Sequence, residues 1–410
     1  MSFLASLSNQ RIAFINSVFF VLFLCIGLTS WLLTNSLFVQ VAYFSDHLPE
    51  GDAIASQLSL MIQASNIFPL LFVVFHKFIR VPDAIFIIIL QILAILVSIG
   101  LSLGWDIVWN NHSIVLLLLT GLSGLVGCMS VVIFYPFAAQ YSAFLTSAIS
   151  LGMGFTGLVS SLLGIFQNIV SFSIVTFFLW NTVIILLSLL AFIIVLFLKY
   201  QGSLKPSSVA EISNEEKDFV CCEPEISING DILYVDELDN TKKSINNISI
   251  FLMICQLVNC FIYYFLLGAI PYAVDDYEND SSLTSSMYIG GMILGSLGRF
   301  LCTFRFFRTS NIIFIISITI LEYILGIYVG IQCIYHWVPS SYAWTIVLSF
   351  IIFSGINGYE DTLLYQVAAI VQTEDKNIER VTRFIGLSNQ GGAFLGSIIS
   401  VVFVELQWFT

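Results

Sequence analysis

Four ionisable residues, Arg299, Glu322, Glu360 and Asp361, stand inside otherwise apolar stretches of this sequence. At the centre of a bilayer each such group costs about 2.5 to 3.5 kcal/mol on insertion scales, so it is kept where it pairs, carries a proton or lines a path. Depth counted along the apolar runs sets Arg299, Glu360 and Asp361 about one turn from the midplane on the same side, which predicts an ion pair between Arg299 and Asp361 or Glu360. Glu322 falls nearer the middle with no cation at its own depth, as a hydrogen-bonding partner for a neighbouring helix or a proton-coupling group. A second constellation is neutral. At helical spacing Gly27, Trp31, Asn35 and Phe38 share one face, setting an aromatic plane beside an amide that both donates and accepts. That chemistry suits a flat heteroaromatic solute. The sequence has no GxxxxGK[ST], HExxH or GxSxG motif, so neither hydrolysis nor nucleotide-driven pumping is expected. His47, His76, His112 and His336 stand at no metal-ligand spacing from cysteine or carboxylate, and neither a metal nor a cofactor is expected.

The elements that must position these residues follow from composition. Of 410 residues, 58% are hydrophobic and 10% charged, against about 25% charged in soluble domains. The apolar runs are continuous rather than alternating, which excludes a β-barrel as well as a soluble enzyme or nucleic-acid binder. The net charge of −12 gives no support to polyanion binding. Eleven runs reach the roughly 20 residues needed to cross the hydrocarbon core: 12–44, 54–76, 83–105, 113–137, 141–167, 173–198, 248–273, 283–304, 311–335, 342–367 and 384–406. The expected fold is all-α and polytopic, with eleven transmembrane helices. The first run is too long for a cleavable signal peptide and reads as a retained helix. With the N-terminus cytoplasmic, Arg11, Lys77, Arg80, Lys199, Lys205, Lys217, Lys242, Lys243, Arg305, Arg308, Lys376, Arg380 and Arg383 all fall inside, as the positive-inside rule requires, and the C-terminus is outside. Trp105, Trp109, Trp337, Trp344 and Trp408 then mark the predicted outer boundary.

The acidic segment 199–247, with Pro206 and Pro224, reads as a flexible cytoplasmic linker. It separates a six-helix bundle over 1–198 from a five-helix bundle over 248–410, an organisation like that of major-facilitator carriers. Glycines at Gly152, Gly154 and Gly157, at Gly291 and Gly295, and at Gly392 and Gly396 mark expected helix crossings. No cysteine pair lies in a predicted external loop, so no disulfide is expected there. Asn111 and Asn279 open sequons on that side and are glycosylation candidates.

The stretch Gly27, Ser30, Trp31, Asn35, Val39, then Leu48, Pro49, Glu50, Gly51, then Ser56, Leu58, Ser59, Asn66 and Leu70 resembles the first helix, first external loop and second helix of the eukaryotic riboflavin transporters. Cys128, Ser130, Phe134, Pro136 and Phe137 are similar to that family's pattern at the end of the fourth span, and Gly152, Gly154, Leu158 and Gln167 to its fifth. Beyond these spans the likeness is confined to Asn259, Ala269 to Pro271 and Gln390 to Gly396. Three positions depart from the pattern: Gln40 replaces a glutamate, Ala42 a proline and Asp52 a tryptophan.

The resemblance implies a plasma-membrane carrier that takes riboflavin into the cell by alternating access. Its partners are then the lipid bilayer and a small-molecule solute, with no nucleic acid; the sequence sets no oligomeric state. An isoalloxazine ring would stack on Trp31, Phe38, Phe134 or Tyr135. The neutral side chains of Asn35, Gln40, Gln140, Asn259 and Gln390 would serve its imide edge and ribityl hydroxyls. Two other readings fit the same residues: a carrier of another neutral heterocycle or nucleoside, and a polytopic receptor or scaffold without transport.

Overall fold

The computed structural model describes residues 17–75, 81–201, 235–304, 307, 309, 311–371 and 375–409. Seven of the cations used for orientation, Arg11, Lys77, Arg80, Lys205, Lys217, Arg305 and Arg308, lie outside that set, as do His76, Cys221, Cys222 and most of the acidic linker. The described chain is helical. Its elements are α1 (Ser17–Leu28), α2 (Leu32–Val39), α3 (Val41–His47), α4 (Ala53–Ala64), α5 (Ile67–Phe75), α6 (Asp83–Gly104), α7 (Ile114–Ala139), α8 (Ala143–Val170), α9 (Ile174–Tyr200), α10 (Val235–Ala269), α11 (Asp280–Thr303), α12 (Ile312–Tyr335), α13 (Ala343–Val371) and α14 (Asp375–Glu405).

Among the described residues nine helices are long and apolar enough to cross a membrane, or ten if the bent pair α1 and α2 is one span. Helix α11 is 24 residues long but is not among them. Its sequence, DSSLTSSMYIGGMILGSLGRFLCT, is rich in serine, threonine and glycine. Apolarity alone therefore falls short of the eleven spans expected from run lengths.

Helix ends are set by local chemistry. Ser142 and Ser173 each accept from a backbone N–H three residues on, at the starts of α8 and α9, and Asn311 accepts from Ile313 N–H at the start of α12. The break between α1 and α2 bends the chain by 53°. Ser30 Oγ donates to the Gly27 carbonyl at 2.8 Å and Thr34 Oγ1 to the Trp31 carbonyl at 2.8 Å, competing with the helical ladder at the turn it would have to complete. The continuous face expected from Gly27 to Phe38 is thus interrupted at residues 29–31.

The chain forms two compact units. The first takes in the described residues of 1–37, 65–107 and 118–221. Its core is aromatic, built around Phe19, Phe23, Phe134, Phe137, Tyr141 and Phe192, with Phe137 and Phe192 edge to face at 5.4 Å. Helices α1 and α8 cross backbone to backbone. A Cβ added to Gly27 would lie 2.4 Å from the Ile149 carbonyl oxygen, and one added to Gly152 would lie 2.2 Å from that of Leu24. Buried hydroxyls are satisfied across helices: Ser36 Oγ donates to Asn181 Oδ1 at 2.8 Å, and Gln91 Nε2 to Ser188 Oγ at 3.0 Å.

The second unit takes in the described residues of 38–64, 108–117 and 222–410. Here α10 meets α14 through Gly392 and Gly396, whose added Cβ atoms would lie 2.2 and 2.3 Å from the carbonyl oxygens of Leu257 and Phe261. Helix α11 meets α13 where a Cβ on Gly358 would lie 2.2 Å from the Gly295 carbonyl oxygen. The Leu48–Gly51 loop is locked by its own residues. Glu50 Oε2 accepts from Ser113 Oγ at 2.7 Å and Oε1 from the Ser113 N–H at 2.5 Å, at the start of α7. Gly51 turns the chain at φ +55°, where a side chain would strain it.

Candidate functional site

In the first unit the neutral constellation forms around Trp31 at the helix break. Its indole lies flat against α7: a Cβ added to Gly127 would lie 2.8 Å from Trp31 Cε3 and 3.0 Å from Cδ2. Gly127 is therefore the seat that fixes the ring plane. One turn on, Asn35 Nδ2 donates to Thr156 Oγ1 at 2.9 Å, which turns the amide toward α8 and leaves its Oδ1 as an acceptor. Trp31 and Asn35 are both half-buried. Beside Gly154, one turn before Leu158 on α8, there is open space: an added Cβ would meet nothing within 4 Å. Tyr135 on α7, also half-buried, faces Ser150 on α8. Phe134 points the other way, 1% exposed in the aromatic core. Gln140 is at the exposed end of α7, with Nε2 donating to Asp83 Oδ2 at 3.3 Å. An apolar groove of about 320 Å³ in this unit, lined by Phe68, Phe72, Phe86, Leu90 and Met129 among others, has no polar side chain in its lining. It offers nothing to orient a polar solute.

The second unit holds the remaining residues. Phe38 stacks on Tyr288 with ring centroids 5.9 Å apart and planes at 22°, while the Tyr288 hydroxyl donates to the Leu267 carbonyl at 2.6 Å. Gln40 is buried ahead of α3, where a neutral amide avoids the cost of a buried charge. Asn259 is buried on α10 and Gln390 is exposed on α14. Arg299 Nε lies 3.5 Å from Asp361 Oδ2. The other Asp361 oxygen accepts from Gln256 Nε2 at 2.7 Å and Asn389 Nδ2 at 2.9 Å, so this carboxylate holds three helices to α13. Glu322 accepts from Asn357 Nδ2 at 2.7 Å, and Glu360 accepts from Thr319 Oγ1. Gly127 is one of the small residues, with Gly121 and Gly124, that the sequence marks as a close helix approach; Thr156, Gln256, Asn357 and Asn389 were not singled out, and the sequence signal for Asn357 is its place one turn before Asp361 on the same face.

The fold also joins groups that chain spacing holds far apart. His336 ends α12 in a left-handed turn at φ 43°, with Nε2 2.9 Å from Asp275 Oδ1 and Nδ1 3.3 Å from Asp276 Oδ2. Among the described residues these three are a set of metal-capable side chains whose ligand atoms all lie within 4.8 Å. Both ring nitrogens face acceptors, and Nε2 is also 2.6 Å from the Tyr272 carbonyl oxygen, so the ring is already engaged by oxygens of the protein. Asp275, in the loop before α11, is pushed up to about 6 by burial first, and further by Asp52 and Asp276, against the lowering effect of His336. Its folded value lies above its ordinary one, so the native state binds the extra proton and stability falls as the pH rises through about 6. Thermal melting between pH 4 and 8 is expected to show this fall, and Asp275→Asn is expected to flatten it; an unchanged profile in the variant would place the titration elsewhere. Asn279 directly precedes α11 and Asn111 sits at positive φ, so both sequons lie at helix margins.

Residues 15–171 match the family described as solute carrier family 52, riboflavin transporter. The chain is 33% identical over 156 residues to the riboflavin transporter rft-1 of Caenorhabditis elegans, covering 36% of this chain and 36% of that protein. It is 35% identical over 161 residues to rft-2 of the same organism, covering 36% and 33%. The matched stretch thus spans about a third of the length of these relatives. These relatives are transporters, not enzymes. Among solved structures the chain is similar to a D-xylose-proton symporter, with TM-score 0.58 and 11% identity over 94% of this chain and 89% of the other, a likeness of fold. Residues 15–171 therefore carry the sequence signature of the solute carrier family 52 riboflavin transporters, on a chain of apolar helices whose fold is similar to that of the symporter.

Proposed function

We propose that this chain carries riboflavin, or a close flavin, across the plasma membrane by alternating access, with the N-terminus cytoplasmic and the C-terminus outside. The observation that carries the reading is the family match over residues 15–171, because that stretch supplies both Trp31 on its glycine seat and the oriented Asn35 amide. A flat ring system stacks on the free face of the indole and its imide edge meets the Asn35 acceptor. Tyr135 is a further stacking candidate, and Phe134 belongs to the aromatic core of the same unit. Phe38, Gln40, Gln140, Asn259 and Gln390 are the further candidates for ribityl contacts. On this reading 1–198 and 248–410 act as the two bundles and 199–247 as their tether.

The test is uptake of labelled riboflavin by cells expressing the chain, with surface expression matched between variants. Saturable uptake is expected, inhibited by unlabelled riboflavin and lumiflavin but not by uridine. Trp31→Ala and Asn35→Ala are each expected to lower initial rates at least tenfold, about 1.4 kcal/mol of lost binding. Inhibition by nucleosides but not by flavins would transfer the site to another heterocycle. No saturable uptake of either by surface-expressed protein would leave a receptor or scaffold.

A further inference from the structure

Among the described residues the second unit buries two carboxyls against one another with no cation between them. Glu322 on α12 and Glu360 on α13 are both fully buried, and each accepts from a side chain on the other's helix, Asn357 on α13 and Thr319 on α12, which brings the two carboxyls side by side. Donors reach one oxygen of each: Asn357 Nδ2 serves Glu322 Oε1 and the Thr319 hydroxyl serves Glu360 Oε1. The Oε2 atom of each has no donor. Asn259, 1% exposed on α10, brings its amide to Glu360, yet neither its Nδ2 nor its Oδ1 completes a well-formed hydrogen bond. The other titratable groups facing the pair are Asp361 on α13, Cys255 and Cys260 on α10 and Tyr323 on α12. Arg299, the described cation nearest in role, is already engaged by Asp361.

Two ionised carboxylates are acceptors only and cannot hydrogen-bond to each other. Side by side in a dry interior, they require a proton on one. We propose that Glu322 and Glu360 form a proton-binding site of the carrier, holding one exchangeable proton between them. Binding forms one O–H bond on either carboxyl, the other accepts from it, and the pair carries a single negative charge. Thr319, Asn357 and Asn259 hold that charge, so the fully deprotonated pair would place two like charges side by side in the apolar interior. This site is independent of which solute the carrier takes, and proton movement through it would drive uptake against a gradient.

The experiment is infrared spectroscopy of the full chain in lipid nanodiscs at pH 7.5, read at the C=O stretch of protonated carboxyl groups. One such band is expected, shifted when the chain is labelled with ¹³C-glutamate and lost or moved in Glu322→Gln and in Glu360→Gln. Asp275→Asn, in the loop before α11, is expected to leave it in place. Both glutamine variants are near-isosteric with the protonated acid, and the labelled parent chain keeps the test valid if either misfolds. No glutamate band, or a band that persists in both variants, overturns the proposal; a sodium-dependent rise in melting temperature with no band would assign the pair to a metal cation instead. Riboflavin uptake under an inward proton gradient is measured in parallel. A band without flavin uptake would keep the proton site and remove the flavin reading, whereas wild-type accumulation in both glutamine variants would show that the site does not drive transport.

Discussion

Gly152→Leu is expected to abolish folded protein. The added Cβ alone would sit 2.2 Å from the Leu24 carbonyl oxygen, and the reciprocal contact, from Gly27 to the Ile149 carbonyl oxygen, is as tight. Overpacking a core costs about 1 to 3 kcal/mol when side chains can give way. Here the obstacle is backbone on both helices, so α1 and α8 must separate and take Trp31, Asn35 and Thr156 with them. Against a total stability of about 5 to 15 kcal/mol, the loss is expected to exceed about 3 kcal/mol. Gly154→Ala is the matched control: it lies two residues on, its new methyl meets nothing within 4 Å, and helix propensity favours it by up to about 1 kcal/mol. Size-exclusion profiles across a temperature ramp in detergent would show Gly152→Leu aggregated and Gly154→Ala at least as stable as the parent. Equal melting of the two variants would mean that the helices are not in backbone contact.

Asp361→Ala is expected to have the second largest effect, and for an electrostatic reason. Three donors from three other helices converge on this carboxylate: Arg299, Gln256 and Asn389. Removing one partner of a buried pair costs about 3 to 5 kcal/mol. The Arg299 and Asp361 side chains are 42% and 23% exposed, so the protein encloses the pair only in part and the expected cost is nearer 1.5 to 3 kcal/mol, the range of hydrogen bonds to charged groups. That predicts a melting temperature several degrees below the parent's and less folded protein at the same expression level. Exchanging the charges, Arg299→Asp with Asp361→Arg, is expected to recover part of the loss, because the pair is restored while Gln256 and Asn389 lose their acceptor. If Asp361→Ala melts like the parent, the carboxylate is not what holds these helices together.

What could be read in the sequence depended on range. Run length and composition carried the helical membrane class, and the Trp31 to Leu70 pattern carried the family likeness, because both are local properties. The Gly152, Gly295, Gly392 and Gly396 crossings were legible for the same reason, since small residues at helical spacing announce a close neighbour. The bend at residues 29–31 was not, because it rests on hydroxyls at Ser30 and Thr34 choosing backbone carbonyls over solvent. Depth counting brought Arg299 to Asp361 but set Glu322 apart from Glu360, beside which it stands: an error of about one turn suffices, and helix tilt supplies it. Pairing across long loops was out of reach altogether. His336 and Asp275 are 61 positions apart, and only the fold shows them 2.9 Å from each other.

The clasp between Glu50 and Ser113 bears on how variants of this chain would be interpreted. Both oxygens of Glu50 are spent on one residue at the start of α7. An acidic residue in a loop invites the assumption that it contacts a ligand, but this one is a rivet between two stretches of chain. A lesion at Glu50 is therefore expected to lower the amount of folded chain rather than to change what the folded chain does; counting folded molecules would tell the two apart before any activity is measured.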